Sequence, residues 1–541
     1  MANSHDLKLG IHPLERGERR PQKHAGRSPF RCKLLLESLL LGLAALTISG
    51  ASRAQSTTSS EPAVTEITAP DPVVDVNTCP PPDGTRPDPT LINTDDFVLS
   101  RFSLERVFSH LVKLANVQRQ NGSELYQQLW DSMDTKANAH FHGPHCDDTE
   151  PPSINGFPIE CPRPEVSLKD SKPGLMVPVA LVNRFELAPA DGLNCGEYRI
   201  VYAMKPFNEN DRNFIILEGV MPNPYPRRGL AACRPIVDFW ESLAYYDISR
   251  PSGRDTLADA LEWFYFKGMR GFGPVLEPTH LGMSGRGGYG GPNGGQIRTN
   301  MFVSGTTWQL REFRLNRECK GRSCRLEWNP VAVGRNPFPP LFDASNPDPM
   351  AAEFQGEFIS QIESLSNDDV NLITMNLDER YNAGQSTSTG FNDGYLVQAI
   401  NGVVNGSFTF VNAIQTELTR LGRPDISPFD ITVRATTQSC AGCHQITTLS
   451  PLSFDGAGGP VWPAPRPGGF VHIDEDRFLS PALWCDFLPF RKSILDGFYR
   501  STAQQCTSYP CFTFVGRHPR SHRWWSKPGE FTVSGKRFGP N

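Results

Sequence analysis

Two cysteines three positions apart, followed at once by a histidine, stand at Ser439-Cys440-Ala441-Gly442-Cys443-His444. This is the attachment spacing of a c-type haem: each thiol can add to one vinyl group, and the adjacent imidazole then coordinates the iron. Thirteen Cys and twelve His in 541 residues would give roughly 0.007 such runs per chain by random placement. Cys440 and Cys443 are therefore candidate covalent anchors of one haem c, and His444 its proximal ligand. Three alternatives use the same residues. They are a redox disulfide of the thioredoxin kind, a zinc site completed by a residue such as His472, and a plain structural disulfide.

The sixth iron position has no obvious owner. Small c-type cytochromes often use a methionine downstream of the motif, but no Met follows Met375. His472, 28 residues on in Gly468-Gly469-Phe470-Val471-His472, is the candidate metal ligand, with His518 and His522 further along. A ligand from upstream or an open position are the other options. A second histidine group, His140-Phe141-His142-Gly143-Pro144-His145-Cys146, reads as surface histidines in a loop. Asp474, Glu475 and Asp476 read as a solvated charge run. The glycine-dense stretch Gly282–Gly295 lacks the Gly-Lys-Ser/Thr ending of a phosphate loop and reads as a flexible connection. No nucleophile elbow or zinc-protease helix occurs, and no organic substrate is legible.

The amino terminus reads as an export signal. A basic start precedes an apolar stretch from Ser38 to Ser49 that is too short to span a bilayer, and Ala51-Ser52-Arg53-Ala54 offers a cleavage site after Ala54. Residues 1–54 carry nine Lys and Arg against four Asp and Glu, so removing them takes the chain from −5 to −10. That charge argues against nucleic acid as a partner, and no integral membrane span is expected after cleavage. A periplasmic or secreted location suits the cysteine count: without Cys32, Cys440 and Cys443, ten remain, enough for five disulfides. Short loops favour Cys319/Cys324, Cys506/Cys511 and Cys146/Cys161, then Cys195/Cys233, with Cys79 and Cys485 left over.

Residues 55–94 have the Pro/Thr-rich composition of a linker. Phe102, Leu104, Val107, Phe108, Leu111 and Leu114 then share one helical face. Within 95–345, Tyr198/Ile200/Tyr202 and Phe214–Leu217 read as strands. Ile236/Phe239/Trp240/Leu243 and Leu257/Leu261/Phe264 read as helices. Trp308/Leu310 and Leu326/Trp328 read as a strand pair closed by Cys319/Cys324. This predicts an α+β domain with a mainly antiparallel, disulfide-stabilised sheet. Residues 346–505 read as a mostly helical, cytochrome c-like haem region. There Phe354, Phe358 and Ile362 form an i+4 ladder, Ser407 can cap a helix that Gly422 ends, and Ser427-Pro428-Phe429-Asp430 starts one aimed at Cys440. Ser480-Pro481 starts another, which Pro489 should kink or end. Residues 506–541 form a basic, poorly ordered tail.

The chain resembles a group of large exported bacterial proteins with a cytochrome c-like Cys-x-x-Cys-His motif near the C-terminus. The matching stretches are Gly143–Cys146, Asn183–Pro189, Asn194–Arg199, Arg298–Asn300, Asn382–Gln385, Arg434–Ala435 with Ser439–Gln445, and Gly469–His472. The resemblance implies haem attachment at Cys440 and Cys443 with His444 as ligand, and draws interest to His472. It implies no particular reaction. The expected function is electron transfer or redox chemistry at an exported haem, with a redox protein or a small electron donor or acceptor as partner. The rival is a secreted binding or structural protein in which Cys440–Cys443 is only a disulfide.

Overall fold

A computed structural model describes residues 86–117, 119–205, 212–283, 294–303, 307–387, 394–443 and 471–503, with the backbones of 531–533 and 536–538. The signal segment, Cys79, Cys506, Cys511, His444, His518, His522 and most of Gly282–Gly295 lie outside these residues.

Alternating side chains build one antiparallel sheet. Its principal strands are β4 (Met176–Arg184), β5 (Asn194–Met204), β6 (Arg212–Pro222), β7 (Gln296–Val303), β8 (Thr307–Lys320) and β9 (Ser323–Val331). Short strand β1 (Ile92–Asn93) and β10 (Ser386–Thr387) complete an eight-stranded sheet ordered β1-β4-β5-β6-β7-β8-β10, with β9 also on β8; β2 (Ser153–Ile154) and β3 (Phe157–Pro158) pair separately. The strand reading at Phe214–Leu217 was too short, since β6 extends on both sides of it.

Because strand side chains alternate, the sheet has two different faces. One carries Tyr198, Ile200, Tyr202, Leu217, Ile297 and Phe313, all buried. Helices α2 (Leu104–Leu114), α3 (Gly122–Asp131), α4 (Arg234–Ser242) and α5 (Pro251–Phe266) follow the short α1 (Asp96–Leu99) and share this core. Tyr198 stacks on Trp240 at 5.8 Å and meets Phe264 edge-on at 5.1 Å. The other face is charged, and it positions the candidate site.

A second core gathers Phe342, Phe354, Phe358, Tyr395, Phe410, Ile414 and Ile431. It joins α6 (Pro349–Phe358), α7 (Ile362–Leu365), α8 (Tyr395–Val404), α9 (Thr409–Arg420) and α10 (Pro428–Thr436). The expected helical region is present, but it is not separate from the sheet. β10 pairs with β8, and the C-terminal helix Leu488–Ala503 sends Leu495 and Phe498 into the first core, where Phe498 lies 4.8 Å from Phe185.

Several local expectations need correction. The linker ends before Leu91 and Ile92, which are buried where β1 pairs with β4. Leu114 is exposed at the end of its helix. The Phe354–Phe358–Ile362 ladder is buried throughout but spans two helices joined by a tight turn at Ile359–Gln361. Ser407 is not the cap of α9. Its N–H closes the preceding helix on Gly402 O at 2.8 Å, leaving Phe408 at the N-cap. Gly422 does end α9, in the left-handed region at φ 71°. Pro489 does not end the helix but sits in the first turn of Leu488–Ala503. The preceding turn, Leu483–Phe487, widens to a π-helix, which relieves the clash of the ring with the carbonyl four residues back. In the tail, Phe531–Val533 pairs with Lys536–Phe538.

Candidate functional site

Helix α10 delivers the cysteine motif. Ser427 and Asp430 form a reciprocal capping box, with Ser427 N donating to Asp430 Oδ2 at 2.8 Å and Asp430 N to Ser427 Oγ at 3.2 Å. Pro428 occupies the first turn. Within the helix, fully buried Arg434 donates from Nη1 to Leu365 O and Asn367 O, both at 3.0 Å, locking α10 to the second core.

The helix pauses at Thr437–Ser439, and a new helical turn carries Cys440–Cys443. Ser439 starts that turn: Gly442 N donates to its Oγ and Cys443 N to its carbonyl, each at 3.0 Å. Ala441 N donates to Ser386 Oγ of β10, also at 3.0 Å, fastening the motif to the sheet. A Cβ at Gly442 would lie 1.7 Å from Thr436 O, so only glycine fits at the position before Cys443. Both thiols are half-buried and neither is in a disulfide.

The remaining described cysteines are all bonded. Cys146–Cys161, Cys195–Cys233 and Cys319–Cys324 pair as expected, and Cys485 is disulfide-bonded too. Burial pushes the Cys443 thiol up to about 12, with Cys440 adding to it while Arg491 opposes. Burial raises Cys440 as well, against the pull of Arg298.

Beneath the thiols lies the charged face of the sheet. Cys440 packs beside Trp308, Leu310, Val333 and Ala441, a small apolar patch at one end. Next to it, buried Glu218 forms an ion pair with Arg199 Nη2 at 3.1 Å and accepts from Arg298 Nη1 at 3.3 Å and Gln296 Nε2 at 2.6 Å. Arg298 Nε also reaches buried Glu312 at 3.1 Å, whose Oε2 accepts from Gly334 N at 3.1 Å. Arg199 pairs with Glu197, and Arg184 with Glu186, which also receives Arg491 Nε at 3.2 Å. Burial and the nearby Arg184 lower Arg491 to about 9, which leaves it protonated at neutral pH. Arg335, exposed and left-handed at φ 58°, lies in the field of Arg298, Arg184 and Glu197. Five arginines thus face four glutamates beside two neutral thiols.

The sequence reading missed this face. Its signal was present in the alternation: Glu197 and Arg199 flank Tyr198, and Arg298 follows Ile297. In an isolated sheet such positions face water, whereas here the cysteine turn and the C-terminal helix cover them.

His472 is half-buried at the head of a tight turn. Its N–H donates to Ser480 Oγ at 3.1 Å, and Ser480 N returns to its carbonyl at 2.9 Å. The acidic triplet after it is not simply solvated. Glu475 is buried and takes both Arg212 Nε and Nη2 at 2.7 Å, while Asp474 caps the turn through Asp476 N and Phe478 N at 2.9 and 2.8 Å. Asp476 alone reaches outward, to Lys205 at 2.8 Å. Arg212 pairs with Phe302, which pairs with Trp308, so the His472 turn is tied to the sheet two strand spacings, about 10 Å, from the backbone of Trp308 beside Cys440.

The histidine loop splits. His140 and His142 are exposed, but His145 is buried, with Nε2 3.5 Å from Asp131 Oδ2. The Asp131 carboxylate also accepts from the His140 and Phe141 N–H groups at 2.9 Å, so the loop is folded onto the end of α3 rather than free. Among the described residues no group of three or more His, Cys, Asp or Glu is placed to hold a metal, and no helix is long and apolar enough to cross a membrane. No protein family, curated protein or solved structure matches the chain.

Proposed function

We propose that the chain is an exported c-type haem protein, with one haem c bound covalently through Cys440 and Cys443 and ligated by His444, acting in electron transfer or haem-based redox chemistry. One observation carries this reading. In a chain whose other described cysteines are all in disulfides, the two at motif spacing are the ones left as thiols. They sit on a helical turn that follows α10 and admits only glycine at position 442.

The surroundings suit the group. Trp308, Leu310 and Val333 offer an apolar contact for a macrocycle edge. Arg335, exposed at the rim of a face with one more arginine than glutamates, would hold a propionate, with Arg491 behind it already paired to Glu186. When bound, the haem supplies a one-electron iron couple. The chain's residues anchor it, set its exposure and fix the field around it. His472 is the candidate for the distal position, because its turn is fastened to the same sheet near Trp308.

The experiment is a haem stain after denaturing electrophoresis, with a pyridine haemochrome spectrum, on protein coexpressed with the cytochrome c maturation machinery. A haem band that survives denaturation and disappears in the Cys440→Ala/Cys443→Ala double variant supports the reading. A colourless protein with Cys440 and Cys443 oxidised to each other returns it to a disulfide-rich binding or structural protein.

A further inference from the structure

Arg311, in β8, takes no part in the charged face. It points to the opposite side of the sheet and is fully buried, and its Nε, Nη1 and Nη2 have no hydrogen-bond partner. Its Cζ lies 5.9 Å from the centroid of the Phe313 ring, two residues along the same face. A second buried guanidinium is close by. Gln309 Nε2 donates to Glu160 Oε2 at 2.9 Å, which draws the segment after Cys161 against β8. Three residues beyond Glu160, Arg163 pairs with Glu165, with Nε to Oε2 at 3.0 Å and both side chains fully buried. That leaves Arg163 Nη1 without a partner. Directly opposite Arg311 in the β7–β8 ladder is Thr299, also fully buried, whose Oγ1 has no partner.

The charges do not close. Two buried guanidiniums face one buried carboxylate, Glu165, which is committed to Arg163, while the exposed Glu160 is held by Gln309. Burial, with Arg163 second, lowers Arg311 to about 9, so it remains protonated at neutral pH. A buried cation without a counter-charge or an acceptor destabilises a fold severely, so structures of this kind place an anion beside it. Five of the unpartnered groups here are donors, three on Arg311, one on Arg163 and the Thr299 hydroxyl, against the unpartnered amide oxygen Gln309 Oε1 two residues along the same face.

We propose that a small monovalent inorganic anion with the size and charge of chloride binds between Arg311 and Arg163, with the Thr299 hydroxyl donating to it. Complete burial selects a compact, readily dehydrated ion. The five donors outnumber the acceptor beside them, Gln309 Oε1, and supply the ion's coordination. The ion is a structural counter-charge taken up on folding. It is independent of the haem reading, because Arg311 lies on the other face of the sheet from Cys440.

The test compares the full exported chain in sodium chloride and in sodium gluconate at one ionic strength, and locates bromide by anomalous diffraction in bromide-soaked crystals. Chloride should raise the thermal midpoint, with the folding constant rising up to tenfold per tenfold increase in chloride once the site saturates. Bromide should give an anomalous peak within hydrogen-bonding distance of the Arg311 guanidinium. Arg311→Met should abolish the chloride dependence and Thr299→Val should weaken it. Should Arg311→Met fail to fold, the bromide position in the unaltered chain and the Thr299→Val titration still decide. Equal stability in the two salts, with no bromide peak and only water at Arg311, overturns the proposal.

Discussion

Adding one methyl group at Gly442 should dismantle the cysteine turn. An alanine Cβ there would stand 1.7 Å from Thr436 O and 2.5 Å from its carbonyl carbon, and both atoms are backbone at the end of α10. Ordinary contact needs about twice the shorter separation, so the two segments must part by well over 1 Å. Three hydrogen bonds hold this turn, each at 3.0 Å: Ala441 N to Ser386 Oγ, Gly442 N to Ser439 Oγ and Cys443 N to Ser439 O. None survives such a displacement. At about 1 kcal/mol each, their loss sets a destabilisation of about 3 kcal/mol for Gly442→Ala. The assay is urea unfolding of the variant beside the unaltered chain, with the covalent haem fraction of each preparation read by haem stain. Stability should fall by that amount and attachment should drop with it, because Cys440 and Cys443 no longer share one turn. A variant within about 0.5 kcal/mol of the parent, with full attachment, would refute the steric argument.

Other consequences are equally concrete. His280 is buried and hydrogen-bonded through Nδ1 to Pro274 O at 2.8 Å, and burial lowers its pKa to about 4. The unfolded imidazole binds its proton near pH 6.5, so the folded state loses stability as pH falls from about 6.5 to 4, by about 3 kcal/mol in all. His280→Gln should flatten that part of the stability profile. His110, also lowered to about 4 by burial, keeps its own contribution, so the difference between the two profiles isolates His280. Glu475→Gln leaves the Arg212 fork without its charged partner at a largely buried position, and should cost about 2 kcal/mol in urea unfolding. If His472 ligates iron, His472→Ala should change the spin state of the oxidised haem; an unaltered visible spectrum removes it from the coordination sphere.

Much of the scaffold was legible because local chemistry and tertiary packing agree. The Ser427-Pro428-Phe429-Asp430 start became a full capping box, and Cys319/Cys324 closes the β8–β9 hairpin in register. The periodicity of Ile236–Trp240 and of Leu257–Phe264 produced α4 and α5 with those residues buried. What sequence could not give was the partner of each polar residue. Glu475 reads as one of three solvated acids until Arg212, 263 positions away, is seen to hold it. Arg199, Glu218, Arg298 and Glu312 read as the wet side of a sheet until the segment with Cys440 covers them. Pro489 reads as a helix breaker because the widened turn before it has no signature in residue type. The motif itself was fully visible, whereas its seat on a charged sheet face was not.

The measurement that bears most directly on the central claim is the mass of the peptide containing Cys440–His444, released by protease from protein matured in an export-competent host. Covalent attachment predicts a peptide heavier by one haem, with both cysteines modified and the mass absent from the Cys440→Ala/Cys443→Ala variant. A haem-free peptide lighter by the two hydrogens of a Cys440–Cys443 disulfide would contradict the account.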